Sequence, residues 1–371
     1  MNMRLTKARR LVIKIGSSLL VDQQTGALRR DWLDALVDDV AACRARGQDV
    51  LLVSSGAIAL GRHSLGLGKK ALHLEDSQAA AAAGQIRLAH AYQESLARHD
   101  VPVAQILLTS EDTEQRRRYL NARNTMTALL AHGSVPVVNE NDTVATAEIR
   151  FGDNDRLAAR VAVMIGADCL VLLSDIDGLY SADPRKDGGA EFIAEVSEIT
   201  PAIEAMAGAT GSHGGSGGMV TKLQAARLAS QAGCFMAIAD GRGTHPIAQL
   251  ADNGRATWFT TSATPSSARK RWIGGSLRTN GSITIDAGAV QALGRGKSLL
   301  PAGVIEVAGD FQRGDAVVVQ GPDGATLGRG LSAYSTADAE RIKGHHSNEI
   351  QAILGFLGRE EMIHRDDLAL G

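Results

Sequence analysis

Leu11-Val12-Ile13-Lys14-Ile15-Gly16-Ser17-Ser18 is a short aliphatic run that ends in a glycine and two hydroxyl residues. The segment that follows it decides the fold. Over 32–45, Trp32, Leu33, Leu36, Val37 and Val40 fall on one helical stripe, Gly47 supplies a stop, and a second aliphatic run occupies 50–53. This is a strand–helix–strand unit. The alternation continues with aliphatic runs at 101–108, 135–138, 170–173 and 235–239 and helix-spaced segments at 77–98, 123–131, 154–165 and 219–232. The pattern predicts a three-layer α/β sandwich, a mostly parallel sheet with helices on both faces. Ligands of such sheets bind beyond the carboxyl ends of the strands, so the residues just after each strand are the ones to read for chemistry.

Composition agrees. The chain has 371 residues, 44% of them hydrophobic, 4% aromatic and 41 of them glycine, which suits buried aliphatic strands joined by tight turns. That length exceeds the ~250–300 residues at which single cores stop growing, so two domains are expected. The pattern changes after Thr260. Residues 264–280, rich in Pro, Ser, Gly, Arg and Lys, read as a linker closing a first domain of 1–263. Short strands at 283–286, 304–307, 316–320 and 327–331, with the turn Pro322-Asp323-Gly324, read as a small β-rich module of 281–358 before a polar tail of 359–371. The net charge of −2 is not that of a chain built to coat nucleic acid or anionic lipid. Cys43, Cys169 and Cys234 lie far apart with no CxxC spacing, which argues against a disulfide framework or a zinc site and for small core residues in a reducing compartment. No apolar run reaches the ~18–20 residues of a membrane span. The basic start MNMRLTKARR leads into a strand rather than a signal-peptide core, so a cytoplasmic location is expected.

No complete GxGxxG occurs. The single GKS, Gly296-Lys297-Ser298, has Gln291 where a P-loop needs its first glycine, which disfavours a dinucleotide enzyme and a Walker-type ATPase. A different set handles phosphate. Lys14 is costly to bury in an aliphatic strand unless it meets an anion or emerges at a sheet end, and the Gly16-Ser17-Ser18 amides beside it suit phosphate oxygens. The run Gly214-Gly215-Ser216-Gly217-Gly218-Met219-Val220-Thr221-Lys222 opens an amphipathic helix, whose unpaired N–H groups favour an anion; the bland alternative is a flexible linker. Lys222 in the first turn opposes the helix dipole, a penalty that a polyphosphate reverses. Asp153-Asn154-Asp155 stands directly before the helical run 156–165. One of these residues serves as an ordinary cap, but two carboxylates exceed what a cap requires. They suit an aspartate holding two lysines, or direct Mg²⁺ binding, and both alternatives stay open. Ser54-Ser55-Gly56 and Asn139-Glu140-Asn141-Asp142 are polar clusters at strand ends fit to grip a small zwitterion, and Ser174-Asp175 follows another strand.

Taken in order, VIKIGSS (12–18), SSGAIALG (54–61), NENDTVATAEIRFGDND (139–155), LLSDIDGLYSADPR (172–185) and GSGGMVTKLQAA (215–226) resemble the amino-acid kinase superfamily, and within it the glutamate 5-kinase family. The C-terminal ITIDAGA, LPAG, RGD and RGLSAYS resemble a PUA domain. The resemblance implies that Lys14 and Lys222 neutralise the transferring phosphoryl group, that Asp155 orients them and that Asp153 helps. It implies that Ser55, Asp142 and Asn154 bind glutamate, with Asn139 nearby. It assigns Lys14, Ser174, Asp175, Ser216, Gly217, Gly218, Met219, Val220, Thr221 and Lys222 to the ATP site. Ser174 and Ser216 stand where threonine is at least as usual, and Ile176-Asp177 is not the commonest pair at its place; neither departure removes a group the chemistry needs.

The implied reaction is attack of the L-glutamate γ-carboxylate on ATP with Mg²⁺, giving γ-glutamyl phosphate and ADP, the first step of proline synthesis. The resemblance also implies feedback inhibition by proline, hand-over to glutamate-5-semialdehyde dehydrogenase and a homo-oligomer, dimer or tetramer. The rivals are another amino-acid kinase, of acetylglutamate or uridylate type, and an RNA-binding factor built on the PUA-like module. From residue 281 onward eight Lys and Arg face twelve Asp and Glu, a net charge of −4, which speaks against RNA.

Overall fold

The computed structural model describes residues 2–68, 71–145, 154–208, 218–276 and 278–371. They form two compact units, Met1–Pro265 and Ser266–Gly371.

In the first unit the strands are β1 (Arg10–Ile15), β2 (Asp49–Ser54), β3 (Val103–Leu108), β4 (Val135–Glu140), β5 (Cys169–Ser174), β6 (Leu179–Tyr180), β7 (Phe192–Ile193), β8 (Glu195–Val196), β9 (Phe235–Asp240) and β10 (Ala256–Phe259). Among the described residues, eight of them form one sheet in the order β3-β4-β2-β1-β5-β9-β10-β8, and β6 pairs with β7. Every ladder of the large sheet is parallel except that between β9 and β10. The short strands β6, β7, β8 and β10 are additions to the expected runs; at two to four residues they carry too few aliphatic positions to show a period.

Side-chain alternation sorts the strands into two cores. Leu11, Ile13 and Ile15 of β1, with Val50 and Leu52 of β2 and Val171 and Leu173 of β5, pack against the helices Arg30–Ala45 and Leu74–Ala97. Val12, Leu51, Val53, Leu170 and Leu172 face the other way, toward the helices Asn154–Ile165 and Met219–Gln231. The sheet is thus covered on both sides, as the period-2 and period-3.6 patterns require. Lys14 has the parity of Val12, so its side chain leaves β1 on the second face.

The second unit has its own sheet, in the order β12-β11-β13-β14-β15, from β11 (Thr279–Ile285), β12 (Val304–Gly309), β13 (Ala316–Gln320), β14 (Thr326–Leu331) and β15 (Leu368–Leu370). Its ladders are antiparallel except β11 with β13. Ile283, Ile285, Phe311, Val317 and Val319 are central to its core.

Two expectations are corrected here. Residues 264–280, expected as a linker, hold the helix Pro265–Ser276 with Ile273 fully buried, and its proline sits where a helix tolerates one. Residues 359–371 are not a tail: Met362, Ile363 and Leu368 are buried, and β15 completes the sheet against β14. In both segments a few buried apolar residues are hidden among charged neighbours, which composition alone reads as solvent-exposed. Among the described residues no helix is long and apolar enough to cross a membrane.

Candidate active site

The carboxyl end of β1 is the centre of the site. Lys14 pairs in register with Val53 of β2 on one side and Leu172 of β5 on the other. Ser54-Ser55 and Ser174 therefore lie one or two residues further along the flanking strands. Lys14 is only 7% exposed, and its Nζ lies 2.6 Å from Asp155 Oδ1. Lys222, 6% exposed, places its Nζ 2.8 Å from Asp155 Oδ2. Asp155 is wholly buried. Burial by itself raises a carboxyl pKa, but the two ammonium groups outweigh it and hold Asp155 well below the carboxylate range. One carboxylate thus fixes two cations drawn from distant parts of the chain, beside the carboxyl ends of the strands.

The two lysines arrive by different routes. Lys14 comes from β1. Lys222 stands in the first turn of Met219–Gln231, whose N-cap Gly218 is extended (φ −99°, ψ −175°) and offers no side-chain cap. Thr221 Oγ1 donates to Gly218 O at 2.8 Å, tying the first turn of the helix to its N-cap. No acidic residue lies in that turn, and the positive end of the helix faces the same region as Lys222.

Asn154 and Asp155 are consecutive in a helix and so point about 100° apart. Asp155 faces the lysines. Asn154 faces the other way, its Nδ2 donating to Ser54 O (2.7 Å), Ser55 Oγ (2.9 Å) and Asn139 Oδ1 (2.9 Å). Two hydrogens serve three acceptors, so at least one bond is shared. This helix start joins the lysine pair to a cluster of amide and hydroxyl groups at the ends of β2 and β4. Asp142 is half-buried in the turn that follows β4.

On the β5 side, Ser174 Oγ donates to Asp175 Oδ1 at 3.2 Å, and Gly241 N donates to Ser174 O at 2.8 Å. The loop after β9 is pinned by Trp32, whose Nε1 donates to Gly241 O at 2.7 Å. Asp175 itself is exposed.

The structure therefore brings together Lys14, Asp155 and Lys222 as one cluster, and Ser55, Asn139 and Asn154 as a second. Ser174 and Asp175 adjoin β1 from the other side, and Met219, Val220 and Thr221 occupy the helix start with Gly218. Asp153, Ser216 and Gly217 lie outside the described residues. Each oxygen of Asp155 meets a lysine, so this carboxylate is engaged in holding the two cations. Among the described residues no cluster of three His, Cys, Asp or Glu is arranged for a metal.

Three contributors had no local signature. Gln85 Oε1 accepts from Asn139 Nδ2 at 2.8 Å, Tyr92 OH lies 2.9 Å from Ser54 Oγ, and Gln78 Nε2 donates to Ala145 O at 3.1 Å. All three sit on Leu74–Ala97, and the available signal is their seven-residue spacing within an alanine-rich helix.

A mostly parallel three-layer sheet with paired buried lysines at its carboxyl edge, and without a P-loop, defines a class of non-Walker phosphotransferase. The chain belongs to the amino acid kinase family: the model described as "Amino acid kinase family" matches residues 9–240, and that of the PUA domain matches 281–354. It is an enzyme of the kinase class. Among curated relatives, the glutamate 5-kinase of Paramagnetospirillum magneticum is 62% identical over 366 residues, 99% of each chain. The glutamate 5-kinase of a Bradyrhizobium species is 60% identical over 368 residues, 99% of this chain and 97% of that one. Among solved structures, carbamate kinase from Giardia lamblia bound to AMP-PNP superposes with a TM-score of 0.50, covering 69% of this chain and 100% of that chain. At 13% identity this last likeness speaks to the fold alone.

Proposed function

We propose that the chain transfers the γ-phosphoryl group of ATP to the γ-carboxylate of L-glutamate, giving γ-glutamyl phosphate and ADP. The observation that carries the reading is the Lys14–Asp155–Lys222 cluster next to the hydrogen-bonded Ser55–Asn139–Asn154 cluster. Phosphoryl transfer to a carboxylate brings two anions together, and two cations held at fixed spacing on a buried carboxylate offset their repulsion. The relatives' name supplies the acceptor. Ser55, Asn139, Asp142 and Asn154 are proposed to bind glutamate. Lys14, Ser174, Asp175 and the segment 216–222 are proposed to bind the nucleotide, and Asp153 to assist Asp155.

In this reading the glutamate side chain lies on the β2–β4 side and ATP on the β5–β9 side, with the transferring group between them at Lys14. A carboxylate with a pKa near ~4.3 is already ionised at neutral pH, so the nucleophile needs no general base. Asp155 is then an orienting group, engaged by both lysines and not available to take a proton. ATP is proposed to arrive as its Mg²⁺ complex, and the cation when bound would supply neutralising charge to the phosphates beside Lys14 and Lys222. The product is a labile acyl phosphate. The proposal therefore extends to hand-over to glutamate-5-semialdehyde dehydrogenase, to feedback inhibition by proline as the first step of proline synthesis, and to a homo-oligomer in the cytoplasm.

The test is a kinetic panel of the purified protein with L-glutamate, N-acetylglutamate, aspartate and UMP as acceptors. Turnover with glutamate at least ~100-fold more efficient than with the others is expected; binding groups that pair one acceptor and leave another unpaired discriminate on this scale or above. Glutamate inert while another acceptor turns over rejects the proposal.

A further inference from the structure

Helix Leu74–Ala97 presents three polar side chains at seven-residue intervals, Gln78, Gln85 and Tyr92. Seven residues are close to two helical turns, so the three lie in one stripe. Each end of the stripe is bonded to a different segment of the pocket, Gln78 to Ala145 O in the loop after β4 and Tyr92 to Ser54 Oγ at the end of β2. Gln85 lies between them.

The middle contact sets the direction of an amide network. Asn139 Oδ1 receives two donors, Glu140 N at 2.9 Å and Asn154 Nδ2 at 2.9 Å. Both partners are donors, so the Asn139 amide cannot be turned over without losing both bonds. Its Nδ2 must then donate, and the acceptor is Gln85 Oε1. Asn154 Nδ2 therefore donates to Asn139 and Asn139 Nδ2 to Gln85, while Asn154 Nδ2 also donates to Ser55 Oγ on its other side.

The backbone under Gln85 is fixed as well. A Cβ on its neighbour Gly84 would sit 1.8 Å from Ala57 O, and one on Gly61 would sit 1.7 Å from Ala80 O. The helices Ala57–Ser64 and Leu74–Ala97 therefore meet backbone to backbone. The first of them begins two residues after Ser55, so Gln85 and the Ser55 loop are locked to one frame.

We propose that Gln85 is a positioning residue for the acceptor site. Its Oε1 orients the Asn139 amide, and through Asn154 the Ser55 hydroxyl, toward the acceptor. The inference rests on the proposed phosphorylation of glutamate and adds a residue that acts through others. Gln85 bonds to Asn139 on the acceptor side, whereas the lysines are held by Asp155, so its removal is read in acceptor affinity and not in turnover.

Gln85→Met keeps side-chain length and removes the acceptor. The expected result is a glutamate KM raised roughly 5–10-fold, with ATP KM and kcat within about twofold of wild type. In an Asn139→Ala background the same change should add less than about twofold, because the partner is already gone. Gln85→Asn, which keeps the polarity but shortens the reach, carries the same expectation and serves if the Met variant folds poorly. A purely structural role would lower thermal stability while leaving the glutamate KM unchanged, or would shift KM equally in both backgrounds; either outcome overturns the inference. Wild-type protein inert toward glutamate removes the functional reading itself. Wild-type activity with an unaltered glutamate KM in both variants removes this inference alone.

Discussion

Asp155 is wholly buried yet charged, because Lys14 and Lys222 each meet one of its oxygens. Removing one partner of such a group leaves an uncompensated buried charge, so the three residues act as a unit. Lys14→Ala and Lys222→Ala are each expected to lower kcat by ~10²–10³-fold while moving the glutamate KM by less than about fivefold. Steady-state kinetics with both substrates varied checks this, and equal mild effects on kcat and KM would place the chemistry elsewhere. Lys14 was legible in the sequence as a cation inside an aliphatic strand, and Asp155 as a carboxylate beyond what a cap requires. Gln85 was not, because a glutamine within an alanine-rich helix has no local oddity. Only the fold brings it to Asn139.

Helix Leu74–Ala97 shows what positions the pocket at the level of elements. Its contact with Ala57–Ser64 depends on Gly61 and Gly84, where any side chain would run into the facing carbonyls. Gly84→Ala is expected to destabilise the protein by about 3 kcal/mol through forced separation of the helices. Gly68→Ala, where a Cβ meets nothing within 4 Å, should change stability by less than about 0.5 kcal/mol. Chemical denaturation of the two variants decides the point, and a Gly84 variant as stable as wild type would contradict the packing described. The main strands were legible because buried parallel strands are continuous aliphatic runs. Helix starts were less so: 123–131 begins at Arg116 and 77–98 begins at Leu74. The charged first turn of one and the polar first turn of the other lack the apolar period that marks a helix.

The whole molecule joins a kinase unit to a PUA domain, and the division was visible as a shift from α/β alternation to short glycine-punctuated strands. The segments on either side of the second domain read as linker and tail because Ile273, Met362, Ile363 and Leu368 stand among many charged and polar residues, and only the folded unit buries them. The family places the reaction class, while the proposed acceptor rests on the relatives' name together with the polar cluster beside the lysines. Incubating the full chain with ATP, Mg²⁺, L-glutamate and hydroxylamine tests this most directly, since an acyl phosphate is trapped as the hydroxamate. The account predicts γ-glutamyl hydroxamate in step with ADP release, both dependent on glutamate. ADP release without hydroxamate, or hydroxamate formed only with a different carboxylate, would contradict it.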